Sequence, residues 1–502
     1  MSDLRPTAVI VLAAGEGTRM KSNTPKVLHT IGGRSLLDHA IHAARGVAPE
    51  HLAVVVRHQR DRVADHVAEV APEAVVADQD EVKGTGRAVE CALEALPPDL
   101  TGTVVVTYGD VPLLTSETLR GLVAAHEGTA SAVTVITASL EDPTGYGRVL
   151  RGADGGIEAI VEQKDATENQ RAIREVNSGI YAFDSVVLRE ALAEVGTDNV
   201  QGEKYLTDVV AIARRRGLPV HAHLIADLWQ TEGVNDKVQL ARLGAELNRR
   251  TVEQAMRDGA VVVDPATTWI DADVTIGPDT VVHPGTQIHG ATTIGSECVI
   301  GPDTTLKDVE VGDGASVVRT QAELAQIGAG ATVGPFSYLR PGTVLGARGK
   351  IGGFVETKNA QIGDGAKVPH LTYCGDATIG EGANIGAGTI FANYDGVTKG
   401  HTTVGAQSFV GSNSVIVAPR TIADGSYVAA GSAVVSDVGP GQLAVTRAQQ
   451  RNVDGWVARR REGTATAAAA EAALRAAAGE PTPADEDSTD HETVATEPKD
   501  VH

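Results

Sequence analysis

Small aliphatic residues return at every sixth position through the C-terminal half of this chain. The beat runs through Ile270, Ile276, Val282, Ile288, Ile294, Ile300 and Leu306. It resumes at Ile327, Val333, Leu339, Leu345 and Ile351, and again at Val404, Val410, Ile416, Ile422, Val428 and Val434. A period of six fits neither the 3.6-residue helix nor an alternating strand; it marks a hexapeptide-repeat parallel β-helix. Each segment makes one flat side, with the aliphatic residue pointing inward and small residues turning the corner. Stacked coils bury one continuous apolar column. Such prisms expose flat faces that pair, and acyl groups are commonly transferred in the clefts between them. Breaks in the beat near 318–326 and 392–403 are expected to be loops that leave the prism, and insertions in repeat proteins often carry binding groups.

Half the chain remains for something else. At 502 residues it is long enough for two or more domains, each with its own core. Aromatic residues are only 3% and glycines number 56, which suits a prism interior too narrow for rings. No stretch approaches the roughly 18 apolar residues that span a bilayer. The opening MSDLRPTAVIVLAAG runs into a glycine turn and a basic helix start, unlike a signal peptide. Cys91, Cys298 and Cys374 lie far apart, without metal-ligand spacing, so the reading is a reducing, cytoplasmic compartment. A net charge of −22 argues against nucleic-acid affinity, and no membrane partner is expected. From Gly463 onward nine acids face two bases. That tail opens with an Ala-rich stretch of helical composition and ends in PTPADEDSTDHETVATEPKD, whose composition predicts disorder.

Residues 7–230 alternate between strand and helix patterns. TAVIVLAAG, LAVVVR, EAVVAD and TVVVTYGD read as strands; LLDHAIHAAR and AVECALEAL read as helices. The alternation predicts an α/β domain, a mostly parallel Rossmann-like sheet with helices on both faces and ligands at the strand C-termini. Residues 235–258 read as a long amphipathic helix joining the halves. The resulting division is 1–234, a linker helix over 235–261, a prism over 262–455 and an acidic tail over 456–502.

LAAGEGTRM follows the first strand, and its Gly15 and Gly17 let backbone amides approach phosphate oxygens. Arg19 and Lys26 add the positive charge that a triphosphate requires in an acidic body. Alone, such a turn is equally well a structural one. Further motifs at later strand ends change that reading: GTGRA (84–88), YGDVP (108–112), GYGR (145–148), VEQKDA (161–166) and EVNSG (175–179). Asp110 ends an apolar strand, where it either caps a turn or binds a hard divalent ion such as Mg²⁺.

Plain coils need only aliphatic and small residues, so the charged and aromatic exceptions are informative. They cluster: Arg340, Glu356 and Lys358, then His370, Tyr373 and Asp376, then Asn384, Asn393, Tyr394 and Lys399. A nominal coil of about 18 residues places Arg340 and Lys358 one turn apart on one face, about 5 Å from each other. Stacked like charges are destabilising unless an anion joins them, and a sugar phosphate would be that anion. Beside Tyr373, Lys358 and Glu356, His370 reads as a general base, since imidazole titrates near neutrality. Cys374, inside the cluster, reads as a small apolar core residue.

LAAGEGTRM, PKVLH, GTGRA, YGDVP, GYGR, EVNSG and GVND, in this order and ahead of a hexapeptide prism, resemble the bacterial bifunctional N-acetylglucosamine-1-phosphate uridyltransferases/glucosamine-1-phosphate acetyltransferases. The match runs from about Thr7 to Trp456. The resemblance implies a left-handed β-helix, a homotrimer with acetyl sites shared between chains, and supply of UDP-N-acetylglucosamine for cell-wall peptidoglycan. It implies that Leu12, Ala13, Ala14, Gly15 and Gln79 hold the uracil end of UTP, with Gly84 and Thr85 beside it. Arg19 and Lys26 would sit on the phosphates, and Asp110 with Asn235 would bind Mg²⁺. Tyr108, Gly109, Gly145, Glu162 and Asn177 would surround N-acetylglucosamine-1-phosphate. In the prism, Arg340, Lys358, Tyr373 and Asn384 would hold glucosamine-1-phosphate while His370 deprotonates its amine. Ala387, Asn393, Tyr394, Ser412, Ala430 and Arg447 would hold acetyl-CoA, with the Ser412 amide as oxyanion donor. Two positions depart from the pattern: Glu16, where relatives often carry Lys, and Arg87, where many have His.

Two alternatives remain open at this level. One is another sugar-nucleotide pyrophosphorylase whose prism only assembles the oligomer; the Arg340/Lys358/His370/Tyr373 cluster argues against it. The other is a scaffold without catalysis, against which Arg19, Lys26, Asp110 and Asn235 stand.

Overall fold

The computed structural model describes residues 5–153 and 155–479. These fall into two compact bodies, divided in the chain between Val445 and Thr446. The acidic segment expected to be disordered lies outside the described residues.

The N-terminal half is built on a sheet whose strands run, in spatial order, Val220–Leu224, Val133–Ser139, Glu175–Asp184, Thr103–Tyr108, Ala8–Leu12, His51–Val56 and Val75–Asp78. All neighbouring pairs are parallel except those made by Glu175–Asp184, which runs antiparallel to both its neighbours. The first strand shows why its sequence is uninterrupted AVIVL. Ala8, Ile10 and Leu12 enter one core with the helices Thr85–Ala95, Ser185–Glu194 and Asp208–Arg215. Val9 and Val11 enter another with Leu36–Arg45, Arg60–Val70 and Ser116–Gly128. A strand buried on both faces has no position for a polar side chain. An antiparallel hairpin, Gly147–Arg151 with Ile157–Val161, extends from the edge of Glu175–Asp184.

Asp236 caps the long helix Lys237–Arg257 by accepting from the Val238 and Gln239 amides. A small hairpin, Thr30–Ile31 with Arg34–Ser35, straps the N-terminal half to this helix and to the first prism coil. The Ala272 amide donates to the Gly32 carbonyl at 2.9 Å, and the Arg34 guanidinium forks onto Asp273.

From Val261 to Ala444 the chain winds as a three-sided parallel β-helix, in which most strands pair with the third strand after them. The inward residues, including every member of the six-beat except the half-buried Ile276, form one apolar column. The segment 318–326 corrects an expectation: it does not leave the prism. Thr320–Glu323 is an ordinary side, paired with Thr305–Lys307 below and Ser337–Leu339 above. Val311, Ala322 and Ile327 each follow the previous inward residue after five positions instead of six, and all stay buried. Shortened sides break the beat without breaking the coil. At 392–403 a loop does emerge between Ile390–Ala392 and Thr402–Val404, closed by an antiparallel bridge from Tyr394 to Lys399.

The second body contains two helices, Trp456–Arg460 and Ala465–Ala477, the latter being the Ala-rich stretch. Arg447 belongs to this body. A cleft of about 1060 Å³ between its helices is walled mainly by alanines, Trp456, Val457 and Leu474.

Candidate active sites

A cavity of about 450 Å³ opens at the C-terminal ends of the parallel strands. Its walls include Leu12, Ala13, Ala14, Gly15, Lys26, Gln79, Gly84, Thr85, Tyr108 and Asp110, ten residues drawn from four chain segments. Glu16 lines it too, whereas Arg87 does not. After Leu12 the chain makes only a 3-10 turn, Thr18–Met20, not the helix start expected from sequence. The segment after Leu12 therefore offers loop amides and side chains, not a helix terminus.

The loop after Val75–Asp78 is held from within, since the Gln79 side-chain amide donates to the Val82 and Gly84 carbonyls, both at 3.1 Å. Gly84 has φ +116°, and a Cβ there would sit 2.2 Å from the Lys204 carbonyl oxygen, so only glycine fits. Thr85 opens the next helix and accepts from the Leu206 amide at 3.1 Å.

Asp110 and Asn235 are brought together across a long sequence gap by the Val234 amide, which donates to the Asp110 carbonyl at 2.9 Å. Both are already engaged by cations. Arg19 donates to the Asn235 side-chain oxygen at 2.6 Å, and Lys26 is ion-paired with the Asp110 carboxylate, both partners being largely buried. Two hard oxygen donors beside two cations are a suitable pair for a magnesium ion that arrives with phosphates. Among the described residues no group of three or more His, Cys, Asp or Glu side chains could hold a metal without such a ligand.

Glu162 and Asn177 face each other across Gly147, whose missing Cβ would lie 3.5 Å from the Glu162 carboxylate and 3.7 Å from the Asn177 Cβ. Gly145 is exposed at the mouth of this hairpin with φ +92°. Burial, with Asp165 and Asp208 nearby, raises the Glu162 carboxyl above its ordinary value. The Tyr108 phenol is pushed up by burial and then by the charges of Glu162 and Asp110, which places these groups in one neighbourhood. Gly109 is fixed by its amide, which donates to the Leu12 carbonyl at 2.9 Å. Sequence reasoning missed Arg57, Lys83 and Glu203 on the cavity wall. Arg57 ends the strand LAVVVR and was findable by the strand-end rule; Glu203 comes from a loop with no signal.

The prism's exceptional residues fall on two adjacent faces. Tyr338 pairs with Glu356 and Leu339 with Thr357, so Arg340 stands one coil from Lys358, as an eighteen-residue turn requires. Glu356 in turn pairs with Tyr373. The anion expected to join Arg340 to Lys358 is partly supplied by the protein: Arg340 donates to the Glu356 carboxylate at 3.0 Å. His370 is not on this face. It ends Lys367–His370 on the neighbouring face, and the corner residue Leu371, at φ +50°, separates it from Tyr373. Five- and six-residue sides combine so that the imidazole falls beyond the corner, exposed and without a hydrogen-bond partner among the described residues. Asn384 shares the face of His370, paired with Lys367.

One column organises that corner. Gly388 donates to the His370 carbonyl at 3.1 Å, Asn413 to that of Ala387 at 2.7 Å and Gly431 to that of Ser412 at 2.8 Å. His370, Ala387, Ser412 and Ala430 therefore stack one coil apart, about 5 Å per step. The amides of Ala387, Ser412 and Ala430 donate to no described acceptor. Room above them depends on glycine: a Cβ on Gly386 would lie 2.4 Å from the Ser412 nitrogen. Ala387 is one step from His370 and Ser412 two. Asn393 is nearly buried, while Tyr394 is exposed on the inserted loop. Arg447 lies in the C-terminal body. Cys374 lies in the core with its thiol pushed up to about 12 by burial, consistent with a packing role.

The two halves define a nucleotidyltransferase fused to a hexapeptide-repeat acyltransferase. Residues 9–223 match the MobA-like NTP transferase domain, and residues 273–308 match the bacterial transferase hexapeptide (six repeats). Over nearly its whole length the chain resembles proteins described as bifunctional protein GlmU. The one from Pseudarthrobacter chlorophenolicus is 60% identical over 96% of this chain and 98% of its own. That from Corynebacterium efficiens is 59% identical over 93% and 97%, and that from Kineococcus radiotolerans 59% identical over 94% and 95%. The chain belongs to the GlmU family. It is a bifunctional transferase of UDP-N-acetylglucosamine biosynthesis that acetylates glucosamine-1-phosphate from acetyl-CoA and transfers a uridylyl group from UTP to N-acetylglucosamine-1-phosphate. No helix among the described residues is long and apolar enough to cross a membrane.

Proposed function

We propose that the two transfers occur at the two sites described, with uridylyl transfer in residues 1–234, acetyl transfer in 262–455, and the helix of 235–261 between them. The observation that carries this division is the stack of Arg340, Glu356, Lys358 and Tyr373 on successive coils with His370 at the adjoining corner, which a passive prism has no reason to build.

In the nucleotide cavity, Leu12, Ala13, Ala14, Gly15, Gln79, Gly84 and Thr85 hold the uracil end of UTP. Tyr108, Gly109, Gly145, Glu162 and Asn177 take the sugar. Asp110 and Asn235 would hold Mg²⁺, which when bound neutralises phosphate charge. Lys26 and Arg19, now resting on those same two residues, turn their charge to the phosphate oxygens. A sugar-1-phosphate oxygen attacks the α-phosphorus of UTP, and pyrophosphate leaves. No covalent enzyme intermediate is needed: positioning and charge neutralisation carry the step.

At the prism, Arg340, Lys358, Tyr373 and Asn384 hold the phosphate and ring of glucosamine-1-phosphate. His370 takes a proton from its amine as the nitrogen bonds to the thioester carbonyl. The C–S bond then breaks and CoA leaves as its thiol. Open amides at Ala387, Ser412 and Ala430, with Asn393, Tyr394 and Arg447, receive acetyl-CoA, and an amide of this column takes the developing oxyanion. Arg340, Lys358 and Tyr373 stand on one face and His370 and Asn384 on the next, so a second chain docked at the corner would complete the site. An exposed ridge supports such docking: Phe336 and Phe354 stack at 5.2 Å, with Leu371 above them. We assign a homotrimer working in the cytoplasm, the compartment that suits three buried free cysteines.

The test is substrate omission. Purified protein with glucosamine-1-phosphate, acetyl-CoA, UTP and Mg²⁺ should release free thiol and pyrophosphate. Omitting UTP should stop only pyrophosphate, and omitting Mg²⁺ should spare thiol release. Thiol release that needs UTP would sink the two-centre reading. Light scattering that reports a monomer at full acetyl-transfer activity would sink the shared site.

A further inference from the structure

The inserted loop is the largest departure from the coil, and it is held by a residue that the two transfers do not so far use. Left-handed residues mark one corner of the prism, coil after coil: Leu324, Gly342, Asn359 and Asp376, with φ of +46°, +81°, +45° and +48°. Asn and Asp tolerate this conformation better than other side chains. Lys358 pairs with Gly375, which sets Asn359 directly beneath Asp376. At the next coil the ladder ends, and the loop from Asn393 to Lys399 leaves in its place.

The Asp376 carboxylate is the fixed point there. Asn359 donates to one of its oxygens at 2.9 Å and Asn393, the first residue of the loop, donates to the other at 2.5 Å. The Gly400 amide returns to the Asn393 carbonyl at 2.8 Å, so fixing Asn393 fixes both ends of the loop. The adjoining space is already taken: a Cβ on Gly375 would lie 2.4 Å from the Tyr373 hydroxyl and 2.9 Å from the Asn393 amide nitrogen. Lys358 on the coil and Lys399 on the loop face each other beside the carboxylate. Lys358 holds the Lys399 amine below the ordinary lysine range, while Asp376 opposes that effect. Desolvation of Asp376 is outweighed by the two Asn hydrogen bonds and the two lysine charges, so its carboxyl sits below the usual value.

We propose that Asp376 is a positioning residue for acetyl transfer, its carboxylate latching the Asn393–Lys399 loop onto the prism and offsetting the repulsion between Lys358 and Lys399. This rests on the assignment of Asn393 and Tyr394 to acetyl-CoA and of Lys358 to the sugar phosphate. It carries a signature that a general structural role lacks. Loss of the carboxylate frees the loop and so weakens acetyl-CoA binding. The same loss leaves Lys358 in a more positive surrounding, which does not weaken binding of a phosphate.

The experiment measures thiol release by the full chain with each substrate varied, for Asp376→Ala and Asp376→Asn. In Asp376→Ala the KM for acetyl-CoA should rise about tenfold or more, the scale of a lost hydrogen bond to a charged group. The KM for glucosamine-1-phosphate should not rise, and uridylyl transfer should stay within about twofold of the parent. Asp376→Asn keeps the volume and one acceptor, so it guards against a folding defect in the alanine variant and should show a smaller rise. Adding Lys399→Met to Asp376→Asn should recover part of that loss, because the repulsion is then gone. An acetyl-CoA KM within about twofold of the parent in both variants overturns the proposal, as does a joint rise in both KM values. His370→Ala, assayed in parallel, separates the two levels: if it leaves acetyl transfer intact, the site assignment fails and not merely the latch.

Discussion

The two catalytic halves place their residues by different rules. In the prism, sequence distance is close to a spatial address outside the inserted loop: Arg340 and Lys358 are one coil apart by count, whereas Ala387 and Ser412 stack only across the loop. In the sheet no count exists. Asp110 meets Asn235, and Gly84 meets Lys204, only because strand order and helix packing return distant segments to one rim. The prism therefore displays its coil in its sequence and absorbs changes of length as short sides or as a loop at a corner, whereas the sheet can vary its loops freely but must keep the residues that tie them.

The sharpest way to break this comparison is to remove one group from each half. His370→Ala should lower acetyl transfer by roughly 10²–10⁴-fold, the worth of a general base, and leave uridylyl transfer within about twofold. Asp110→Ala should do the reverse under saturating Mg²⁺. If either substitution disables both reactions in separate thiol and pyrophosphate assays, the halves are not independent centres.

Close backbone approach offers a finer comparison. Gly386→Ala puts a methyl 2.4 Å from the Ser412 nitrogen, and Gly84→Ala puts one 2.2 Å from the Lys204 oxygen. Overpacking of this kind costs about 1–3 kcal/mol, or roughly ten- to hundredfold in affinity. The first should raise KM for acetyl-CoA alone and the second KM for UTP alone. A Gly386→Ala enzyme with an unchanged acetyl-CoA KM would remove the amide column from the site.

Acid should distinguish the halves least strongly but most generally. His126 is buried in the sheet half, and burial depresses its imidazole to about 4. An unfolded histidine titrates near about 6.5, so the unfolded state takes up protons first as pH falls. The stability this group contributes is whole above about 6.5 and is lost on the way down to about 4. His39, also buried there and also lowered by burial, adds the same sign. No described histidine of the prism is buried. Heating between pH 7 and 4.5, followed by assay of both activities after return to pH 7, should therefore show uridylyl transfer lost before acetyl transfer, and His126→Gln should narrow the gap.

Much of this was legible in the residues. The six-beat identified the coil, and runs such as AVIVL and TVVVTY identified strands buried on both faces. Charged and aromatic exceptions to the coil, Arg340, Glu356, Lys358, His370 and Tyr373, marked the proposed acetyl site. Segment 318–326 looked like an excursion because the beat was assumed to be rigid, although a five-residue side closes the same coil. The expected grouping of His370 with Lys358 rested on residue type and not on the beat, and the two residues fall on adjacent faces.

The sequence alone determined the architecture of each half and the chemistry available to it, because burial periodicity and residue type are local properties written at every position. Tertiary structure alone decided the meetings: Lys26 on Asp110, Arg19 on Asn235, Glu356 on Arg340 and Asp376 on the base of the inserted loop. Which face a residue takes at a corner depends on the summed lengths of all sides before it, and which charges pair depends on distant segments competing for one place. Neither sum can be read from any single stretch of chain.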